Sequence, residues 1–280
     1  MPRGMAVPVH FNASASSPAF QLKSKVWLAA TFPMKAGSTE WLQLVAMHFT
    51  GHYKRDIYRG FTGTLAGANV TFVPYLAVEA IANPAERLVS FCLVRNPYER
   101  LLSCYLNKYV NKATLTLSPP GMPPRNGTFA DWVNAAVTGQ YRNQLAKLHY
   151  APISSTYDRC IAPSMRIFKV EEISTWYAPL IRELGLTDSV RNNEWKQGCF
   201  YIPPNRTCET ALDAPDEAST QRRRCNHGNS TAHGAETDAC SRMGSHYTQE
   251  LARKVTTYAA GDLYAYDYPF WNGDVSKPWF

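Results

Sequence analysis

Two stretches of the chain share one order: a short apolar run, an abrupt turn, then apolar residues at helical spacing. In the first, Val26 to Phe32 (VWLAATF) is β-prone and stops at Pro33 and a Gly/Ser/Thr turn. TEWLQLVAMHFTG follows, with Trp41, Leu44, Val45 and Phe49 on one helical face and Gly51 as a natural stop. In the second, starting at Ser90, FCLV suits a strand buried on both faces. Arg95 ends it, and Asn96, Pro97 and Glu99 supply an N-cap, a first-turn proline and a capping-box glutamate. Leu101, Leu102, Tyr105, Leu106 and Tyr109 then form the apolar face of the helix. A third strand is predicted at Met165 to Val170, with a helix capped at Ser174 and closed by Gly185. Repeated strand-then-helix units imply an α/β fold, a parallel sheet with helices on its faces.

The 280 residues fit one large domain of this class, and 45% hydrophobic content is enough for a sizeable core. A wholly disordered, collagen-like or coiled-coil chain is excluded. The reading assigns residues 1–22 to a flexible leading segment and 23–280 to the domain, with Leu115 to Asn126 a Pro/Gly-rich loop. Cys199 to Gly244 has little periodicity and reads as a disulfide-pinned surface insertion. A final helix carries Tyr247, Leu251, Val255 and Tyr258 and is expected to end at Gly261. No apolar run reaches the roughly 18 residues of a membrane span, and the polar first residues lack the apolar stretch of a signal peptide. Membrane association is therefore expected only through an anchor absent from this sequence.

The formal charge is +7 on only 18% charged residues, so acidic side chains are scarce, which favours an anionic ligand. Of seven cysteines, Cys92 and Cys104 lie in apolar segments and read as buried thiols. Cys160, Cys199, Cys208, Cys225 and Cys240 lie in polar, loop-like sequence and are disulfide candidates; Cys199 with Cys208 and Cys225 with Cys240 are plausible by proximity alone. None has zinc-ligand spacing, and no metal is expected. Glycosylation sequons at Asn12, Asn69, Asn126, Asn205 and Asn229, together with loop cysteines, point to an oxidising secretory lumen.

The loop Pro33-Met34-Lys35-Ala36-Gly37-Ser38-Thr39 stands where a buried strand hands over to a helix. Helix N-termini present unpaired N–H groups and a partial positive charge, which bind anions. Gly37 allows close backbone approach, Ser38 and Thr39 add hydroxyl donors, and Lys35 adds a full charge. The nucleotide-hydrolase pattern G-x-x-x-x-G-K-[ST] is not met, because Lys35 precedes Gly37. Arg95, at a strand's carboxyl end, and Ser103, two turns into the next helix, can hold a second phosphate; pairing of Arg95 with Glu99 is the alternative.

FPMKAGSTEW resembles the 5′-phosphosulfate loop of sulfotransferases that use 3′-phosphoadenosine 5′-phosphosulfate (PAPS), and LVRNPYERLLSCY resembles their 3′-phosphate motif. The run from FADWV at Phe129 through His149-Tyr150-Ala151-Pro152 and Cys160 to RIFKVEEIS is similar to the chondroitin-type carbohydrate sulfotransferases. It departs from them at Tyr150, where Trp is usual, and at Ile153, where Gln is usual. The resemblance implies a P-loop-like three-layer sandwich. Lys35, Ala36, Gly37, Ser38 and Thr39 would hold the 5′-phosphosulfate, and Arg95 and Ser103 the 3′-phosphate, with Arg242 a further basic contact. It implies sulfuryl transfer from PAPS to a carbohydrate hydroxyl, with Lys35 stabilising the leaving phosphate, and a Golgi type II membrane protein.

The acceptor needs a general base, and His149 is the leading candidate. Glu171, Glu172, Glu79 and His52 are rivals. Sulfation of a protein tyrosine or a small alcohol, and a non-catalytic lumenal glycan-binding protein, stay open as alternatives. Phosphoryl transfer is disfavoured for want of a Mg²⁺-holding partner. The Arg222-Arg223-Arg224 run could gather an anionic glycan or form a solvated loop. Nucleic acid is not an expected partner, since the basic residues form no aromatic-flanked patch.

Overall fold

The computed structural model describes residues 18–22, 25–51, 72–74, 87–110, 127–139, 144–157, 160, 165–191 and 239–274. The sheet has five strands: β1 (Pro18–Gln21), β2 (Trp27–Thr31), β3 (Phe72–Pro74), β4 (Leu88–Val94) and β5 (Arg166–Lys169). Their order is β3-β1-β2-β4-β5. β2, β4 and β5 are parallel, with Ala30 opposite Phe91 and Leu93 opposite Phe168. β1 runs antiparallel to both β2 and β3, so an antiparallel edge extends the parallel centre. Pro18–Gln21, placed in the flexible leading segment by the sequence reading, is thus a paired strand.

The helices are α1 (Ser38–Thr50), α2 (Pro97–Tyr105), α3 (Phe129–Val137), α4 (Gln144–Tyr150), α5 (Ile153–Thr156), α6 (Ile173–Leu184), α7 (Thr187–Arg191), α8 (Ala239–His246), α9 (Gln249–Tyr258) and α10 (Ala260–Ala265). A π-helical turn at Leu106–Val110 continues α2. Side chains alternate across a strand, so β4 feeds two cores. Val89, Phe91 and Leu93 join Leu28 against α1 and α6, where Trp41 packs on Phe91 and Trp176 at 5.4 and 6.4 Å between ring centres. Cys92 and Val94 face the other way, into the core of α2, α3, α8 and α9. The result is the expected three-layer α/β sandwich.

Local signals explain most element ends. Gly51 and Gly185 close α1 and α6 in left-handed conformation. Thr128 and Asp131 form a reciprocal capping box on α3. Four expectations change. α6 begins at Ile173 after a 3₁₀ turn, with Glu172 and not Ser174 at its cap position. Gly261 does not end the final helix: α9 stops at Tyr258, and Gly261 lies inside α10. A Cβ there would stand 2.8 Å from Ser154 Oγ, so close approach to α5 explains the glycine. Helix α8 begins at Ala239, within the stretch read as an insertion.

The fourth change concerns cysteines. Cys92 is not a thiol but is bridged to Cys160, across 68 residues of sequence, tying β4 to the segment before β5. Cys104 is a free, buried thiol, and Cys240 is disulfide-bonded. Cys199, Cys208 and Cys225, the Arg222 to Arg224 run and the asparagines of all five sequons lie outside the described residues. Among the described residues no helix is long and apolar enough to cross a membrane. Closing a loop of this length contributes about 4 kcal/mol in the chain-entropy account. The Cys92→Ala/Cys160→Ala double variant is expected to lose about 3 to 4 kcal/mol in denaturant unfolding; a loss below about 1 kcal/mol would contradict the bridge.

Candidate active site

The loop after β2 is held by few bonds and two left-handed residues. Ala36 is buried and its N–H donates to the Pro33 carbonyl at 3.1 Å. Gly37 (φ 78°) is the N-cap residue of α1, and no side chain caps that helix. A Cβ at Gly37 would meet only Leu93 Cδ1 at 3.9 Å, so backbone conformation, not space, asks for glycine. Lys35 adopts φ 70° without being glycine. That conformation costs roughly 1–2 kcal/mol and persists only where the surroundings impose it. Ser38 opens α1 and is buried, its hydroxyl 3.8 Å from Met34 Sδ, with Thr39 next in the first turn.

The second motif reaches this loop directly. Arg95 follows β4, and its Nη1 donates to the Lys35 carbonyl at 3.4 Å. Its Nε and Nη2 donate to Glu99 Oε2 at 3.2 and 3.1 Å, the pairing left open by the sequence. These bonds occupy three of the five N–H donors of a guanidinium, so the ion pair and an anion can be held together. Ser103 lies two turns along α2, 3% exposed. Burial pushes the neighbouring Cys104 thiol up, opposed by the positive charges of Lys35, Arg100 and Lys108. The charge of Lys35 is therefore felt at Cys104, near the end of α2.

The capping box expected at Glu99 is rearranged. Asn96 Oδ1 accepts from the Tyr98 N–H at 3.0 Å as an N-cap should. Glu99 is drawn away to Arg95, and the Asn96 N–H that it would have served donates to Glu171 Oε1 at 2.7 Å instead. Tyr268 donates to Glu171 Oε2 at 2.9 Å. Burial, with Glu99 adding repulsion, pushes the Glu171 carboxyl up to about 7. Glu171 thus serves the cap of α2, both of its carboxyl oxygens accepting hydrogen bonds. Glu172 holds the cap position of α6. Glu79 and His52 lie outside the described residues.

Arg100 is the residue that sequence reasoning missed. It is 2% exposed, and all three guanidinium nitrogens donate to carbonyls: Nε to Met34 at 2.9 Å, Nη1 to Ala151 at 2.6 Å and Nη2 to Leu148 at 3.0 Å. The Leu148 and Ala151 carbonyls bracket His149, whose segment is thereby tied to the residue before Lys35. Every residue of α2 is buried, because α3, α4, α8 and α9 cover it. The only sequence signal was an arginine beside the apolar face of a helix; nothing local announced that the outer face would be covered too. α8 packs against α2 and carries Arg242, which is exposed; among the described contacts none joins its side chain to Arg95.

The raised Glu171 pKa sets a sign for stability. Between the ordinary value of 4.5 and about 7 the folded state holds a proton that the unfolded state has lost, so stability falls as pH rises through this window. Melting temperatures from about pH 5 to about pH 8 are expected to drop in the wild type, and to drop less in Glu171→Gln. Parallel curves for the two proteins would contradict this assignment.

The sulfotransferase family profile matches residues 35–272, whereas no curated protein and no solved structure matches the chain. The match starts at Lys35 and runs past α10, taking in β4, α2 and the Arg100 contacts at Leu148 of α4 and at Ala151. The chain belongs to the sulfotransferase family.

Proposed function

We propose that the protein transfers the sulfuryl group of PAPS to a hydroxyl of a carbohydrate, a glycan or proteoglycan chain, in the Golgi lumen. Family membership implies sulfuryl transfer and a sulfuryl donor of this kind. The observation that carries the donor reading is the Arg95 Nη1 bond to the Lys35 carbonyl, which joins two cationic motifs at the carboxyl ends of adjacent parallel strands. A donor with phosphate groups at both ends fits this set. The uncapped N-terminus of α1 with Lys35 suits the 5′-phosphosulfate, and the remaining N–H donors of Arg95 suit the 3′-phosphate, to which Ser103 is also assigned by the resemblance. Arg242 is proposed as a further basic contact.

In the transfer, the S–O bond to the phosphate breaks as a new S–O bond forms to the acceptor oxygen. The electron pair stays on the leaving phosphate, where Lys35 neutralises it, and adenosine 3′,5′-bisphosphate departs. His149 takes the acceptor proton. Its support is the pair of Arg100 bonds on either side, which hold it next to the donor loop, and a ring Nδ1 closed off from solvent. The carbohydrate acceptor rests on the resemblance of the FADWV to RIFKVEEIS run. The lumenal setting rests on the sequons and on a disulfide in the core. By the same resemblance, an anchor of the type II kind would hold the enzyme at the membrane.

Calorimetry with adenosine 3′,5′-bisphosphate in magnesium-free buffer tests the donor site. Micromolar affinity is expected for the wild type, and its loss in Arg95→Ala; absence of binding by folded wild type would sink the reading. Lys35→Ala is expected to lower kcat by about 10²- to 10³-fold. Labelled PAPS offered with desulfated chondroitin, a tyrosine peptide and a small alcohol identifies the acceptor, and label on the chondroitin is expected. In the same assay His149→Asn is expected to remove the acidic limb of the kcat/KM profile. A retained acidic limb would assign the base elsewhere.

A further inference from the structure

Residues 148 to 154 are held by two buried charges. One is Arg100, bonded to the Leu148 and Ala151 carbonyls and to Met34 of the donor loop. The other is Asp262 of α10, 1% exposed. Its Oδ2 accepts from the Ile153 N–H at 2.8 Å and its Oδ1 from the Ser154 N–H at 2.7 Å. A cation thus holds carbonyls and an anion holds amides of one short stretch, each matched to the polarity it meets. Both charges also act on the hydroxyls of Tyr258 and Tyr266, which places them in one buried polar cluster. Gly261, next to Asp262, lets α10 come close enough to α5 for these bonds.

Neither charge is exposed enough to meet a substrate, and a carboxylate buried for the sake of two amides is costly unless the placement of that backbone matters. A neutral turn could have connected α4 to α5. We propose that Arg100 and Asp262 are paired positioning residues that hold the His149 segment against the donor loop, so that the transfer step depends on them through acceptor geometry and not through donor affinity. The inference rests on the reading of His149 as lying on the acceptor side. Arg100 links the two halves of the site, because it bonds both Met34 and the 148–151 backbone; Asp262 fixes the far end of the same stretch.

The test compares wild type, Arg100→Lys, Asp262→Asn and the double variant. Lysine keeps the charge but cannot reach three carbonyls at once; asparagine keeps one acceptor oxygen and nearly the same shape. Amide exchange without ligand is expected to rise together at residues 147–154 and 33–37 in Arg100→Lys, and chiefly at 147–154 in Asp262→Asn. With PAPS and desulfated chondroitin, kcat is expected to fall roughly 10²-fold in Arg100→Lys, while the affinity for adenosine 3′,5′-bisphosphate stays within about threefold. The double variant is expected to lose less than the product of the single losses, because both grips act on one segment. If Arg100→Lys does not fold, Asp262→Asn carries the same split between kcat and donor affinity. Unchanged kcat and KM per folded molecule, whatever the loss in melting temperature, would overturn the proposal, as would equal losses in donor affinity and kcat. A wild type that fails to bind the bisphosphate or to sulfate chondroitin refutes the reading of the site instead; the exchange measurement, which needs neither compound, still decides whether the segments are coupled.

Discussion

A guanidinium taken almost wholly out of water is the constraint around which this structure is arranged. Moving a charge into an interior costs several kcal/mol even after relaxation, and Arg100 offsets it with carbonyls instead of a bonded carboxylate. Hydrogen bonds from a charged donor contribute roughly 1.5–3 kcal/mol each, so the loss of any one is felt. The three acceptors come from two stretches far from Arg100 in sequence, the turn after β2 and the α4–α5 junction. They meet the fork only when sheet, α2 and α4 are all in place. A planar fork with five donors tolerates little misplacement, so the arginine reports on the relative position of those parts as well as stabilising them.

The same economy of acceptors shapes the start of α2. A helix that is buried all round must satisfy its first N–H groups from protein atoms. Asn96 serves one, but the glutamate that would complete the capping box is diverted to Arg95. Glu171, arriving from the end of β5, replaces it and is itself held by Tyr268. Two carboxylates are thereby brought near one arginine, and this crowding, added to burial, keeps a proton on Glu171 at a pH where an exposed glutamate has none. Arg95 is oriented by Glu99 and by the Lys35 carbonyl, so its remaining donors are aimed without freedom to fold away. Strain at Lys35 fits this picture: a left-handed lysine is unfavourable alone and is maintained by the bonds made to its carbonyl and to Met34.

Much of the fold was legible because its signals are local. β2 with α1 and β4 with α2 follow from apolar runs ending in a turn, and Gly51 and Gly185 mark helix ends through the left-handed conformation they adopt. The elements that were misread lacked such a signal. PAFQ is four residues long and pairs because β2 and β3 flank it, not because of any pattern of its own. Cys92 looks like a small apolar residue in a buried strand, and its partner lies 68 positions away. Gly261 reads locally as a helix stop, whereas in the fold it lies inside α10, packed against the Ser154 side chain.

The amino-acid sequence by itself determined the strand-to-helix junctions, the residue types at the two cationic loops and, through those loops, membership of the sulfotransferases. Backbone conformation and helix polarity act over a few residues, so short motifs carry them. Tertiary structure alone decided what those residues touch: that Arg95 would be shared between Glu99 and Lys35, that Glu171 would cap α2, and that Arg100 and Asp262 would hold one segment, the first by its carbonyls and the second by its amides. Those outcomes depend on burial and on the desolvation of charge, and both are properties of the whole packed molecule that no local stretch of sequence contains.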